Sequence, residues 1–478
     1  MRALTFLRFV VCGALLLAHG HTTFGNNISV GNTTLGAQNQ SDQTVAITFD
    51  VAWENSWRTS NNEANYDGAW IFVKYRVNGT SDWRHCTLAP AQFTAGTGAT
   101  IVVSSDSMGA FIHRSTNGIG NVNFNGNTLS WHYGADGVIN GDNVQIRLFA
   151  LEMVYIPEGE YYLGSGGSEV NCFKNGNSAS AFLVEGPGAI QTGTNAGDLN
   201  LNGQGTNGTV IPAGYPNGFN AFWIMKYECS QQQFADFLNH LTSVQAAANN
   251  TSTNFAGSSH PAFTPLVADR AYNNLSVAQA TAFADWAGLR PYSELEFEKA
   301  CRGKSILPVP NEYPWGTTAA VRMESNQFSN AGQPDEAVLT GVLANAAYRN
   351  SNSSGNGTGR PVRVGIFARS TGSGRELSGA TYYGVLNMGD NLIELTIRAG
   401  TAIGQSVDAA THGDGHLRAA GATDITTWQT SAFGGRGTHY ASPAGSMGHM
   451  RVSDRDNMDS NVGSTSAAYG IRLARTAN

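Results

Sequence analysis

The residues best suited to chemistry lie in one glycine-rich stretch near the C-terminus, GGRGTHYASPAGSMGHMRVSDRDN (residues 434–457). His439 and His449 offer imidazole groups, and Met447 and Met450 offer thioether groups, all of which can bind copper. The stretch contains no cysteine, so it supplies no thiolate for a soft metal centre. Because a lone histidine or methionine in a loop is more often an ordinary contact residue, we expect no copper here.

A second candidate is the segment HGDGH, from His412 to His416. Its two histidines would lie on one face only in a helix, and the two glycines between them disfavour a helix. A polar loop is therefore the stronger interpretation and a metal site the weaker one. The sequence also lacks the G-x-S-x-G, P-loop and H-E-x-x-H motifs, so it gives no sign of hydrolytic or phosphate chemistry.

The first residues, MRALTFLRFVVCGALLLAHG, combine Arg2 and Arg8 with an apolar run from Phe9 to Ala18 and a small-residue end. This order is typical of a cleaved signal peptide. We predict a signal peptide over residues 1–20 and a mature protein that is secreted or held at the cell surface. No later stretch is long and apolar enough for a membrane helix, so we expect no membrane insertion.

Composition limits the class of partner. Charged residues make up 13% of the 478 residues and the net charge is −7, without a run of Lys or Arg, which argues against nucleic acid as a partner. Beyond the predicted signal peptide the cysteines are Cys86, Cys172, Cys229 and Cys301. An even count in an exported protein permits disulfides, and free buried thiols are an equal alternative.

Residues 21–150 carry apolar side chains at every second position in several short runs. Alternation would put the apolar side chains on one face of a β-strand in each of the runs 44–53, 70–77 and 144–148. The sequence between these runs shows no helical period. We therefore predict an all-β sandwich domain for residues 21–150.

The remaining residues, 151–478, mix a few helices with irregular chain. Capping boxes begin at Ser230, Ser276 and Ser293, each with Gln or Glu three residues later, and predict three helices. Residues 166–218 are rich in Gly and Asn with little apolar period, which predicts an excursion over the surface. Few helices and a large irregular body predict an α+β domain.

A family resemblance rests on GLRPYSELEFEKACRG, from Gly288 to Gly303, which aligns with the block G-x-R-L-P-T-E-A-E-W-E-x-A-x-R-G without a gap. That block belongs to the formylglycine-generating enzyme, or sulfatase-modifying factor, family. Six further segments resemble landmarks of this family and occur along the chain in the family's order: IPEGEYYLGS, NAFWIMKYECSQQQFADFL, YPWG, GVLNMGDNLIELT, FGGRG and YGIRLAR. Residues 151–478 thus resemble this family, which implies its α+β fold, related to that of the C-type lectins.

The resemblance also implies where catalysis would lie. The family enzyme oxidises a substrate cysteine with oxygen, using two cysteines that hold copper. Counted from Gly435, His439 lies near the first expected cysteine and Ala444 near the second. The resemblance therefore implies the family scaffold without its catalytic pair, and a metal-dependent oxidase with altered ligands is our least favoured hypothesis.

A structural calcium is a further implication. In the family, a G-N-x-W-E segment helps hold the ion, and Asn391, Leu392 and Glu394 fall on its positions here. Asn326 is a weaker candidate for a second site. Amide, carbonyl and carboxylate oxygens suit Ca²⁺. A plain hydrogen-bonded loop is the equal alternative.

The C-terminal segment is also dense in side chains that commonly contact ligands: Arg436, His439, Tyr440, His449, Asp454, Arg455, Asp456, Asn457 and Asn461. Lectin-fold proteins diversified by reverse-transcriptase cassettes present similar segments. Our first hypothesis is a non-catalytic, extracellular binding or adhesion protein with a protein or glycan ligand, and an ordinary polar surface is the equal alternative for this segment. Our second hypothesis is a structural subunit of a fibre, surface layer or motility-associated assembly, whose partners are copies of itself.

Overall fold

A computed structural model describes residues 28–251, 254–257, 259–333, 335–348, 360–368, 374–459 and 462–477. The predicted signal peptide and Asn461 lie outside these ranges. Within them, no helix is long and apolar enough to cross a membrane.

The first part of the chain forms long strands. They are β1 (Ser29–Asn39), β2 (Thr44–Arg58), β3 (Asp67–Val77), β4 (Arg84–His85), β5 (Leu88–Thr94), β6 (Ala99–Val103), β7 (Ala110–Arg114), β8 (Gly118–Trp131) and β9 (Val144–Ile156). Within the described residues 28–150, the regular secondary structure consists of β-strands alone, in agreement with the alternation of apolar residues.

The later strands are short. They are β10 (Tyr161–Leu163), β11 (Lys174–Asn175), β12 (Phe182–Val184), β13 (Ile190–Gln191), β14 (Leu199–Asn200), β15 (Val210–Ile211), β16 (Phe222–Met225), β17 (Phe255–Gly257), β18 (Thr264–Pro265), β19 (Phe328–Ser329), β20 (Ala337–Val338), β21 (Ile393–Ile397), β22 (Phe433–Arg436), β23 (Tyr469–Gly470) and β24 (Ala474–Thr476). The helices are α1 (Gln231–Asn239), α2 (Ser243–Asn249), α3 (Val277–Trp286), α4 (Glu294–Arg302), α5 (Arg375–Ser378) and α6 (Ala402–Gln405). Short 3₁₀ turns lie at Ser325–Gln327, Thr430–Ala432, Ala444–Met450 and Asp456–Asp459. The fold is thus α+β and rich in strands.

Two antiparallel sheets, built mainly from the first part of the chain, pack together. One has the order β1-β2-β8-β5, and the other has seven strands in the order β24-β16-β9-β3-β7-β6, with β4 beside β3. Phe49 and Trp53 of the first sheet share a buried core with Ile71 and Ile112 of the second. Burying apolar faces of two sheets against each other is what stabilises such a pair.

The seven-stranded sheet also joins the first part of the chain to the rest. Strand β9 runs through residue 150, where we placed a domain boundary, and pairs with β3 on one side and β16 on the other. The C-terminal strand β24 then pairs with β16. The segments on either side of residue 150 therefore share one hydrogen-bonded sheet.

Residues 166–218 differ from the predicted surface excursion. Leu199, Leu201 and Ile211 are fully buried and belong to the main core. Leu199 lies in β14, which pairs with β11, and Ile211 lies in β15, which pairs with β13. The apolar residues are spaced irregularly because loops position them, so no period in the sequence marks them as core.

The predicted helix starts are confirmed at α1 and α4. The Ser230 side chain accepts a hydrogen bond from the Gln233 backbone, and Ser293 does the same for Glu296. At α3 the Ser276 backbone donates to Gln279 Oε1 at 2.9 Å. Each contact satisfies an N–H group that the first turn of a helix leaves unpaired.

We predict that Trp286→Ala lowers the free energy of unfolding by about 3–5 kcal/mol, because it removes a fully packed aromatic. Trp286 is 3% exposed and contacts Phe72 and Phe149 from the sheet and Phe237 from α1. Ile119→Ala is the control, since Ile119 is 87% exposed. Chemical denaturation measures both, and equal stabilities of the two variants would contradict this packing.

Candidate functional site

The C-terminal segment is anchored to α4 by a buried arginine. Arg436, at the end of β22, is 1% exposed, and its guanidinium lies 3.5 Å from Glu294 Oε2 and 3.1 Å from Glu298 Oε1. The guanidinium also stacks over the Phe297 ring at 4.7 Å. Our prediction that Arg436 contacts a ligand is therefore corrected: this side chain is buried, and its two terminal nitrogens bond to groups of the core.

Arg455 closes the same network from the other end of the segment. Its Nε donates to Glu294 Oε2 at 2.7 Å, and its Nη1 donates to the Leu201 carbonyl at 2.6 Å. Burial alone would raise the pKa of Glu294, but Arg455 and Arg436 hold this pKa below its ordinary value. Glu294 is thus an anion that two buried cations share.

Two other predicted contact residues are buried between these anchors. Tyr440 is 8% exposed, and Asp454 is 4% exposed. Asp454 accepts hydrogen bonds from the Asp456 backbone and from the His449 ring, the latter at 3.1 Å. Both residues support the segment from within, so the structure corrects their assignment to a ligand surface.

The remaining predicted residues lie nearer the solvent. His449 Nδ1 contacts Asp454 and its Nε2 lies 3.7 Å from exposed Asp456, and the hydrogen bond to Asp454 raises the pKa of His449. His439 is half-buried, and burial lowers its pKa, which favours the neutral imidazole. Asn457 is half-buried and donates to the Gly437 carbonyl at 2.8 Å. The structure brings His449 and Asp456 together, whereas His439 packs against the Tyr440 ring.

The cysteines offer no substitute for a catalytic pair. Cys86, Cys172, Cys229 and Cys301 are all buried and unpaired, which decides against the disulfide alternative. Burial raises the pKa of the Cys172 thiol to about 11 and that of Cys86 well above its ordinary value. Since the thiolate is the metal ligand and the nucleophile, these four groups are structural thiols.

The predicted calcium ligands are already engaged with protein groups. Both oxygens of Glu394 accept from the Arg472 guanidinium, at 2.8 and 2.9 Å. The Asn391 side chain accepts from the Val362 backbone at 2.9 Å and donates to Glu228 at 2.5 Å. Calcium needs six to eight oxygen ligands, and an arginine on the carboxylate competes with the ion. The residues as arranged do not fit calcium.

The other two predicted calcium ligands are Leu392 and Asn326. Leu392 is fully buried, and its backbone N–H donates to the Asp390 carbonyl at 2.8 Å. Asn326 lies in the 3₁₀ turn Ser325–Gln327 and is exposed.

The HGDGH segment forms a loop, as its glycines predict. His412 Nε2 accepts a hydrogen bond from the Thr476 backbone at 3.1 Å. Asp414 has a carboxylate oxygen within 4.8 Å of oxygens of Asp285 and Asp424. Burial raises the pKa of Asp285 to about 7, and Thr423 donates to its carboxyl at 2.6 Å. The Asp414 backbone donates to Asp285 Oδ1 at 3.2 Å, which fastens the loop onto the end of α3.

An open cleft of about 680 Å³ lies beside α3 and is the feature that sequence reasoning missed. Its apolar lining includes Val277 and Phe433, and its polar lining includes Arg398, Gln429 and Thr430. The loop at 422–433 forms one wall. The apolar residues of this loop follow neither a helical nor a strand period. The polar composition of the loop is therefore the one signal in the sequence for the cleft.

A comparison with models of known protein families shows which family the chain resembles. Residues 150–477 match the family described as the sulfatase-modifying factor enzyme 1-like domain. The matched range begins inside β9 and contains α4, β22 and the whole buried arginine network. No curated protein sequence is significantly similar to this chain.

We predict that EDTA leaves the melting temperature of the wild-type protein unchanged, because the Glu394 carboxylate is paired with Arg472. Glu394→Ala should lower the free energy of unfolding by about 3–5 kcal/mol, since it leaves a buried guanidinium unpaired. Asn326→Ala, at an exposed residue, is the control and should melt as the wild type does. Calorimetry with and without EDTA tests this; a wild-type protein that EDTA destabilises would show that calcium displaces Arg472.

Proposed function

Because the chain belongs to the sulfatase-modifying factor enzyme family over residues 150–477, we propose that it uses this scaffold for binding and not for oxidation. The protein is a non-catalytic, secreted or cell-surface protein whose ligand is an extracellular protein or glycan. The described residues 28–150 form strands that lie ahead of the binding domain in the sequence, and several of them share a sheet with its strands.

The first support for this proposal is the chemistry at the family's catalytic positions. Counted from Gly435, His439 and Ala444 fall near the positions where the family has two thiolates, and burial lowers the pKa of His439. Copper(I) chemistry with oxygen depends on those soft ligands. The family's landmark residues persist because they build the buried network of Glu294 and Arg436 and not because they react.

The observation that carries the proposal is the cleft beside α3. It combines a cation, Arg398, with the exposed amide of Gln429 and the exposed hydroxyl of Thr430 over an apolar lining. Arg398 forms an ion pair with Asp459, whose side chain is 58% exposed, so the cation is held at the rim of the cleft. A concave surface with a few fixed polar groups on an apolar base is typical of a ligand site.

The accessible residues of the C-terminal segment extend this surface. His449, Asp456 and Asn457 are held by hydrogen bonds to their neighbours while remaining partly open to solvent. The backbone beneath them is fixed by buried Arg436 and Arg455. Recognition side chains on a rigid base lose little conformational entropy on binding.

We predict no formylglycine when the purified protein is incubated with a Cys-x-Pro-x-Arg peptide, copper and oxygen. The chain has no cysteine between Gly434 and Asn457 to bind the metal. Mass spectrometry of the peptide, against a reaction without protein, measures the product. Conversion of the peptide cysteine above that background would overturn the non-catalytic assignment.

We predict that Ala422→Trp lowers ligand affinity at least tenfold, about 1.4 kcal/mol, because an indole would fill the cleft. Ala422 is exposed and lines the cleft. Ala247→Trp, on the exposed side of α2, is the matched control and should bind as the wild type does. The fluorescently labelled protein is screened on glycan arrays and extracellular protein panels, and the variants are compared on the ligand found.

A wild-type protein that binds nothing on either panel, or an Ala422→Trp variant that binds as tightly as the control, would contradict the cleft as the binding site. Melting temperatures of both variants are measured in parallel to show that they are folded.

A further inference from the structure

A lysine and two carboxylates are buried together where the two parts of the chain meet. Lys226 Nζ lies 3.0 Å from Asp67 Oδ2 and 3.0 Å from Glu152 Oε2. The side chains of Lys226, Asp67 and Glu152 are 3%, 0% and 2% exposed, so water is excluded from all three. Lys226 lies in the family landmark NAFWIMKYECSQQQFADFL, but its partner Asp67 lies outside the residues that match the family, and none of the three lines the cleft.

Three neighbouring strands fix its geometry. Asp67 begins β3, Glu152 lies in β9, and Lys226 follows β16 directly. The central strand, β9, pairs with the other two, and the Lys226 backbone donates to the Glu152 carbonyl at 2.9 Å. Glu152 therefore lies on the strand between the strands of the lysine and the aspartate, and the sheet holds all three at reacting distance.

The surroundings of Asp67 resemble a site that stabilises an oxyanion. Asp67 Oδ1 accepts from the Ser56 hydroxyl at 2.7 Å and from the Trp57 backbone at 3.0 Å. The other oxygen, Oδ2, accepts from the Trp53 indole at 2.9 Å and from Lys226 at 3.0 Å. Donors fixed on one oxygen would stabilise the charge that develops there when a nucleophile adds to the carboxyl carbon.

The medium around the lysine has a low dielectric constant. The Trp57 and Tyr227 rings lie 5.0 and 5.5 Å from Lys226 Nζ. Glu152 Oε1 is buried and has no hydrogen-bond partner. A buried carboxylate oxygen without a partner is costly when ionised, and protonation of that carboxyl removes the cost.

We propose that Lys226 and Asp67 join in an intramolecular amide bond, with Glu152 as the group that moves the protons. The lysine nitrogen forms a bond to Asp67 Cγ, and the bond from Cγ to Oδ2 breaks. Glu152 relays two protons from the nitrogen to Oδ2, one before the attack and one after it, so that this oxygen leaves as water. The lysine and aspartate side chains lose one water molecule in total, and no oxidant, reductant or cofactor takes part.

The protonation states are consistent with a slow reaction that happens once. Burial raises the pKa of Glu152 to about 7, so this carboxyl is half protonated at neutral pH. Burial acts to lower the pKa of Lys226, but Tyr227, Glu152 and Asp67 outweigh it and raise this pKa, so the lysine rests as an ammonium ion. Transfer of its proton to Glu152 across their hydrogen bond gives the amine that attacks.

The amide bond would be a covalent cross-link within the chain, of the kind that the described cysteines do not provide. All four described cysteines are unpaired, although the sequence predicts an exported protein. Asp67 and Lys226 are 159 residues apart, so the amide would close a large loop and tie the first sheet strands to the family domain. Cross-links of this kind restrict the unfolded chain and resist mechanical separation of the parts they join.

The test is the mass of the full mature chain after denaturation. We expect the wild-type protein to weigh less than its sequence by one water, about 18 Da, because the amide forms with loss of water. Trypsin should fail to cut after Lys226, and tandem mass spectrometry should identify one branched peptide that contains Asp67 and Lys226. A wild-type chain of unmodified mass, cut normally after Lys226, overturns the proposal without reference to any variant.

Variants assign the roles. Glu152→Gln keeps the size of the side chain but cannot relay the proton, so its mass should show no loss; a Glu152→Gln chain that is fully linked would overturn the role of Glu152. Asp67→Asn should lose ammonia in place of water, about 17 Da, if it reacts at the same carbon. Lys299→Arg is the control, because buried Lys299 donates only to the backbone carbonyls of Gly159 and Phe219, and it should keep the wild-type loss. A Lys299→Arg chain without that loss would place the link elsewhere.

Discussion

Two glutamates on α4 hold the C-terminal part of the domain in place. Glu294 pairs with Arg436 and Arg455, and Glu298 pairs with Arg436. All these groups are buried, and loss of one charge would leave its partners uncompensated in a medium where an unpaired ion is very costly. The pairs therefore form together, and they fix both ends of the segment between residues 436 and 455.

Because these ion pairs stabilise the fold of the family, the fold does not depend on the residues that carry the family's catalytic chemistry. The ion pairs are local to α4 and the C-terminal segment, and none of them needs a thiolate. A chain can thus keep the family's landmark residues for stability while the loops around them change. The cleft beside α3 lies outside the ion pairs of Glu294 and Glu298, so its lining can vary without leaving those buried charges unpaired.

Local signals in the sequence predict much of the fold. The caps at Ser230 and Ser293 depend on residues three positions apart, and the strand runs depend on alternation, so both can be identified without tertiary structure. The candidate site is harder to predict because the residues that contact each other there are far apart in the sequence. Arg436 has the residue type of a ligand contact, but its partner Glu294 is 142 residues away. Lys226 and Asp67 likewise give no joint signal, and the walls of the cleft have no period.

The buried ion pairs of Glu294 and Glu298 hold the C-terminal segment rigid. Hydrogen–deuterium exchange, followed by mass spectrometry, tests it directly in Glu294→Gln, which weakens the pairs to Arg436 and Arg455 while keeping the size of the side chain. We predict that backbone amides between residues 437 and 459 exchange faster in this variant than in the wild type, while those of β3 change much less. Unchanged exchange in 437–459 would contradict it.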